Sequence, residues 1–215
     1  MSKKIYVWEF PVRLTHWINA AGVASMAFTG FYIGNPFIHA SSVDQYTMGW
    51  MRFIHFISAY ALVASIFVRL YWSIVGNEFS KARVFFPFSR DQINQLLELT
   101  KFYLFIRKEP PRLGKGHSAC GAFAYFFIGL VFLAEIATGF ALYSQSHASG
   151  AFWTVMGGWL LFLMNVQTVR LYHHLLMWVL LTFVVGHMYI AWIIGKVEKD
   201  NTFYSMFSGY KLGDE

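Results

Sequence analysis

Long uncharged stretches divide the chain into segments. No Asp, Glu, Lys or Arg occurs from Leu14 to Val43, Phe53 to Val68, Gly116 to Ala134, Ile136 to Val169 or Leu171 to Gly195. A helix that crosses a bilayer needs about 20 mostly apolar residues. The pattern predicts four such helices, at about 14–36, 52–75, 117–143 and 171–195. Between the second and third, Ser89 and Gln92 form a capping box. Ile93, Leu96, Leu97, Thr100 and Leu104 then recur at helical spacing opposite Asp91, Glu98 and Lys101. That spacing predicts an amphipathic helix on the membrane surface, ended by Pro110 and Pro111. The segment from about Ser144 to Thr168 carries no charge and holds Trp153 and Trp159. It is expected to sit in the interface or beneath a partner protein.

Composition agrees with this division. Of the 215 residues, 57% are hydrophobic and only 13% charged, against about 25% charged in a soluble domain. The expected fold is therefore all-α: a single integral membrane domain over residues 1–215, built as a four-helix bundle. Charge placement adds orientation. Fourteen of the seventeen basic residues fall before span one, between spans two and three, or after span four. The positive-inside rule then places both termini in the cytoplasm. The net charge of +6 is thereby explained as topology, with no need for a nucleic-acid partner. Span one is too long, and lacks a clear small-residue cleavage site, for a removable signal. Cys120 is the only cysteine, which excludes internal disulfides, cysteine-rich metal sites and covalent c-type haem.

The histidines carry the chemistry. Arg13-Leu14-Thr15-His16, Arg52-Phe53-Ile54-His55 and Arg170-Leu171-Tyr172-His173 each open an apolar stretch, and His187 follows His173 by fourteen residues. Fourteen helical steps return a side chain to within roughly 40° of its start, about 21 Å further along. One helix thus offers two imidazoles on one face at two depths, and two other helices offer one each. This sorts the four into an outer pair, His55 and His173, and an inner pair, His16 and His187. Two pairs at two depths suit bis-histidine ligation of two haems about 20 Å apart. His174 lies roughly 140° from the face of His187, so His173 is taken as the ligand of the doublet. Met188 adjoins His187 on a rotated face and is read as packing.

Arg13, Arg52 and Arg170 stand one turn before a ligand. They are expected to reach haem propionates, to anchor helix ends at the headgroups, or both. His117, with Ser118 beside it at the start of span three, is read as a quinone-site residue or as an ordinary interfacial histidine, and less readily as a substitute ligand. Glu135 deep in span three is either part of a proton path or a satisfied buried carboxyl. His39 and His147 are assigned no role. Phe28-Thr29-Gly30-Phe31 is echoed by Ala137-Thr138-Gly139-Phe140, which hints at a two-plus-two repeat of closely packed helices.

Arg13-Leu14-Thr15-His16-Trp17 running to Thr29-Gly30 resembles the first signature of the b-type cytochrome subunit of membrane-bound nickel-iron hydrogenases. Arg170 through Trp178 to His187-Met188-Tyr189 resembles the second. Gly139–Tyr143, Phe86-Pro87 and the tail Met206–Lys211 are similar to that family as well. The resemblance covers nearly the whole chain. It implies a dihaem electron-transfer subunit that anchors the periplasmic small and large hydrogenase subunits and passes electrons through two b haems to membrane quinone. It also implies a quinone pocket near His117, although Gly116-His117-Ser118 departs from the Gly-His-Asn that family members often carry. Three alternatives remain at this point: the related formate dehydrogenase cytochrome, a haem-free membrane proton relay or transporter, and a pure anchor.

Overall fold

The structure is a computed structural model that describes residues 3–38, 42, 45–81, 90–103, 106–107, 119–145, 154–197 and 201–213. His39, Ser89, Leu104, Pro110, Pro111, His117, Ser118, His147 and Trp153 lie outside them. The chain divides into two compact units, one of Phe10–Trp72 and one of Met1–Glu9 with Ser73–Glu215.

The first unit holds α1 (Phe10–Gly34) and most of α2 (Thr47–Val75). They run antiparallel, and side chains hydrogen-bond between them at three levels. Ser65 Oγ donates to Asn19 Oδ1 at 2.7 Å, the Ser25 and Ser58 hydroxyls meet at 3.0 Å, and Thr29 Oγ1 meets His55 Nδ1 at 2.9 Å. Polar links of this kind hold helices together where lipid is as apolar as leucine. Gly22 adds close approach, because a Cβ there would lie 3.8 Å from Ser58 O.

In the second unit, α3 (Arg90–Tyr103) is the amphipathic helix that the sequence predicts, with Ile93 and Leu97 exposed. Lys101 first, and then Arg107, hydrogen-bond Glu98 and hold its carboxyl below the usual carboxylate range. Next come α4 (Ala119–Ser144), a single π-helical turn over Thr154–Gly158, α5 (Leu160–Leu163) and α6 (Val166–Val197). The fourth predicted span starts earlier than the pattern suggested, at Val166 rather than 171. Asn165 Oδ1 accepts from the Thr168 backbone N–H at 2.9 Å and from its hydroxyl at 3.0 Å, and so caps the helix there. Between α4 and α6, Ile128, Val131 and Leu180 form a buried cluster, packed by Leu176, Phe132 and Phe183. The uncharged outer segment folds back on α4: a Cβ on Gly157 would stand 2.5 Å from both Ala137 O and Ala141 N. Trp159, Phe162 and Leu163 remain exposed.

Among the described residues, three helices, Thr47–Val75, Gly121–Ser144 and Val166–Ile193, are long and apolar enough to cross a membrane. The chain is thus an integral membrane protein. The predicted first span forms α1 and has 25 residues, about 37 Å of helix, but Asn19, Ser25 and Thr29 make it more polar.

The all-α expectation needs one correction. Strand β1 (Lys3–Tyr6) pairs antiparallel with β2 (Tyr210–Gly213), in register from Lys3 with Gly213 to Tyr6 with Tyr210. Four residues at each end are too short to announce a strand, and the pairing depends on α7 (Thr202–Ser208) delivering the second one. The backbone N–H groups of Val7 and Trp8 both donate to Gly209 O, at 2.9 and 3.0 Å, and Trp8 Nε1 donates to Ser205 Oγ at 3.0 Å. Asn77 joins this clasp, donating through Nδ2 to Val7 O at 2.9 Å and through its backbone N–H to Glu9 Oε2 at 2.8 Å. The two chain ends and the stretch after α2 therefore meet in one place. Gly209 sits at φ +87, and a Cβ there would be 2.7 Å from Tyr6 Cε2 and 2.8 Å from Trp8 O.

Gly209→Ala is expected to open the clasp at a cost above about 1 kcal/mol, from the left-handed backbone alone. Limited proteolysis should then cut near the termini faster than in the wild type, with the spans intact. Unchanged cleavage would mean that the ribbon is not held by this turn.

Candidate haem sites

Within each unit a histidine from one helix meets a Thr-Gly pair on another. In the first unit, Thr29 Oγ1 donates to Ser25 O at 2.8 Å, with Met26 O at 3.3 Å. Its single hydrogen is then committed, so its oxygen accepts from His55 Nδ1 at 2.9 Å. In the second unit, Thr138 Oγ1 donates to Ala134 O at 2.8 Å, with Glu135 O at 3.0 Å, and accepts from His173 Nδ1 at 3.0 Å. A proton on Nδ1 leaves Nε2 as a lone-pair donor, the state an imidazole needs in order to bind iron. Thr29 and Thr138 are both buried, and so this arrangement sits away from water.

The glycines finish each pair. A Cβ on Gly30 would lie 3.5 Å from His55 Cε1, and one on Gly139 would lie 3.2 Å from His173 Cε1. The ring edge of each histidine thus rests where the neighbouring helix has no side chain. The Thr-Gly echo of the sequence is therefore a repeated histidine seat as well as a packing device, a role its position one helix away from each histidine had concealed.

His173 and His187 share α6. The α4-facing residues His173, Leu176, Leu180 and Phe183 recur every three or four residues, and His187 follows one turn later with its ring stacked on Phe183 at 5.6 Å and 15°. The two imidazoles thus lie along one stripe, as the fourteen-residue spacing predicts. His174 is turned elsewhere: its Nδ1 donates to Arg170 O of its own helix at 2.8 Å, on an exposed face. His16 is half-buried on α1, with its Nδ1 shielded and its ring edge-on to Trp17. Of the arginines, Arg170 hydrogen-bonds Gln167 Oε1 at 3.1 Å and is exposed, Arg52 is exposed, and Arg13 is half-buried. His117 and Ser118 fall outside the described residues. Among the described residues, no group of three or more His, Cys, Asp or Glu side chains converges to hold a bare metal ion. Single imidazoles protonated at Nδ1, each seated against glycine, suit instead a flat group that brings its own equatorial ligands.

The family model for prokaryotic cytochrome b561 matches residues 7–209. The chain belongs to this family. Its similarity to individual members extends over almost the whole length. It is 35% identical to the probable Ni/Fe-hydrogenase B-type cytochrome subunit of Cupriavidus necator, across 97% of this chain and 87% of that protein. It is 34% identical to the protein of the same name from Azotobacter chroococcum mcd 1, across 97% and 88%. It is 32% identical to the probable Ni/Fe-hydrogenase 1 B-type cytochrome subunit of Escherichia coli K12, across 96% and 90%. Membership in a cytochrome b family implies haem b, which is held by axial ligands and packing without a covalent link. The histidine seats fit that group.

The two glycines should differ in their tolerance of substitution. Gly139→Ala brings a methyl within 3.2 Å of His173 Cε1, whereas Gly30→Ala makes ordinary contact with His55 at 3.5 Å. Haem content per purified polypeptide should therefore fall several-fold more in Gly139→Ala than in Gly30→Ala. Equal loss, or none, would count against the seats as drawn.

Proposed function

We propose that this cytochrome b561-family protein is the membrane electron-transfer subunit of a periplasmic nickel-iron hydrogenase. In this reading it anchors the small and large subunits and connects hydrogen oxidation to membrane quinone. The observation that carries the reading is the likeness, over nearly the entire chain, to relatives named as Ni/Fe-hydrogenase B-type cytochrome subunits. The chain itself does no hydrogen chemistry in this reading, and nothing in it calls for nucleic acid.

Four histidines are assigned as axial ligands of two b haems, His55 with His173 on the outer side and His16 with His187 on the inner side. The bound haems supply the one-electron chemistry. The protonated Nδ1 of His55 and of His173 supports the outer assignment, because it directs a lone pair on Nε2 away from the threonine. The shared stripe of His173 and His187 supports placing the second pair deeper along α6. Arg13, Arg52 and Arg170 are assigned to the propionates, for which a guanidinium is the matched bidentate partner. His117 and Ser118 are assigned to the quinone pocket on the inner side.

The topology of the proposal has α1 as a fourth span of a four-helix membrane domain. Two facts support it. Hydrogen bonds join α1 to α2 from Asn19 to Thr29, so α1 follows an apolar helix along its length. The ribbon of the two chain ends favours an even number of crossings. Three would leave those ends on opposite sides. The excess of lysine and arginine in the terminal and central segments supports a cytoplasmic location for that side, in the inner membrane.

Haem content and a reduced-minus-oxidised spectrum of the purified chain test the reading. About two low-spin b haems per polypeptide are expected. His55→Ala and His173→Ala should each remove one and the same haem, and His16→Ala and His187→Ala the other, while His174→Ala keeps both. Retention of both haems in any of the first four would sink the ligand assignment. A haem-free, folded chain would point to a proton relay instead.

A further inference from the structure

The two histidine seats share a threonine and a glycine but differ in the residue one turn before the threonine. Counting back from the threonine, α1 carries Met26 three residues before Thr29, and α4 carries Glu135 three residues before Thr138. On α4, Ile128, Val131, Glu135 and Thr138 recur every three or four residues, so the carboxyl stands within the stripe that faces α6. Its Oε2 lies 3.4 Å from His173 Nδ1, and its side chain is 18% exposed. The neighbouring stripe residues Ile128 and Val131 are buried and apolar. An acidic side chain at such a depth is costly and commonly functional.

We propose that Glu135 is a positioning residue that acts through His173 to lower the reduction potential of the haem which His173 ligates. The inference rests on the assignment of His173 as an axial ligand. The Nδ1–H of His173 donates to Thr138 Oγ1 at 3.0 Å, and Glu135 Oε2, buried and with no hydrogen bond of its own, stands 3.4 Å from the same nitrogen as a second oxygen before it. An added acceptor draws the proton outward and sends electron density through the ring to Nε2. A more basic imidazole stabilises ferric iron over ferrous, and hydrogen bonding to a ligand is one of the protein's levers on potential. The apolar surroundings keep the interaction unscreened. On the other helix pair, the Met26 side chain offers only a thioether, a weak acceptor, and His55 is served by Thr29 and the Met26 backbone carbonyl, with no carboxyl in the matching place. One axial ligand is thus a stronger donor than its partner, and the haem it serves is biased towards giving its electron away.

The test uses the full-length chain in detergent, as wild type, Glu135→Gln and Glu135→Met. Each is titrated by absorbance against potential, with haem content measured in parallel. His173→Ala identifies which of the two midpoints belongs to the haem in question. Both Glu135 variants should keep wild-type haem content. In Glu135→Met, which makes the two seats alike, that one midpoint should rise by about a tenfold change in the reduction equilibrium, about 59 mV for one electron. Glu135→Gln keeps an oxygen in place and should shift the same midpoint in the same direction by less, and the other midpoint should not move. Unchanged midpoints with full haem content would overturn the inference. So would a shift confined to the haem that survives in His173→Ala, or haem loss from Glu135→Met while Glu135→Gln titrates as wild type. A wild-type chain that holds no haem would instead overturn the reading on which the inference rests.

Discussion

In the hydrocarbon of a bilayer, a histidine can turn a lone pair outward only if some other group of the protein takes its N–H, because no water is present to do so. The hydrogen bond from Nδ1 to a threonine on the neighbouring helix meets that condition for His55 and His173. Much of the local structure follows from it. The threonine returns its own hydrogen to a backbone carbonyl of its helix, the following glycine makes room for the ring edge, and the helices come close enough for these short contacts. One interaction thereby fixes tautomer, ring direction and helix spacing together.

The helix pairs that carry this device are otherwise joined by different means. Between α1 and α2 the link is polar, from Asn19 with Ser65, through Ser25 with Ser58, to Thr29 with His55. Between α4 and α6 it is apolar, with Ile128, Val131 and Leu180 at its centre. Serine and asparagine give direction and register through hydrogen bonds, whereas the larger side chains fill volume and hold by close packing. The apolar seam is also the one that holds Glu135, and there a carboxyl has few polar competitors for the histidine beside it. The histidine seat is thus compatible with either kind of seam.

Outside the membrane-spanning stretches, the structure is closed by the chain ends. Gly209 accepts two N–H groups from Val7 and Trp8, Ser205 takes the indole N–H of Trp8, and Asn77 binds Val7 and Glu9. These bonds satisfy backbone groups of the segment that leads into α1. They also tie the segment before α1, the segment after α2 and the C-terminal tail into one folded piece. The tail Met206–Lys211, which carries part of the resemblance, is therefore a structural lock, with Gly209 as its turn.

Periodicity and charge placement by themselves determined where the helices lie, which helix faces bear histidine, and that His173 rather than His174 lies on the stripe leading to His187. These are local properties: a run of apolar residues, a 3.6-residue repeat and an uncharged gap are each readable within one segment. The outline of the amphipathic α3 was legible for the same reason. Only the tertiary structure decided which threonine serves which histidine, that Gly30 and Gly139 bound the ring edges, and that Glu135 reaches His173, because each of these joins residues on separate helices. It also decided the start of α6, where the Asn165 cap outweighs the point at which the apolar pattern begins. The terminal ribbon was the least legible, since its strands stand at opposite ends of the sequence and neither has a reason to be extended without the other. A sequence declares the preferences of a segment, but a hydrogen bond between distant segments exists only once packing has brought its donor and acceptor together.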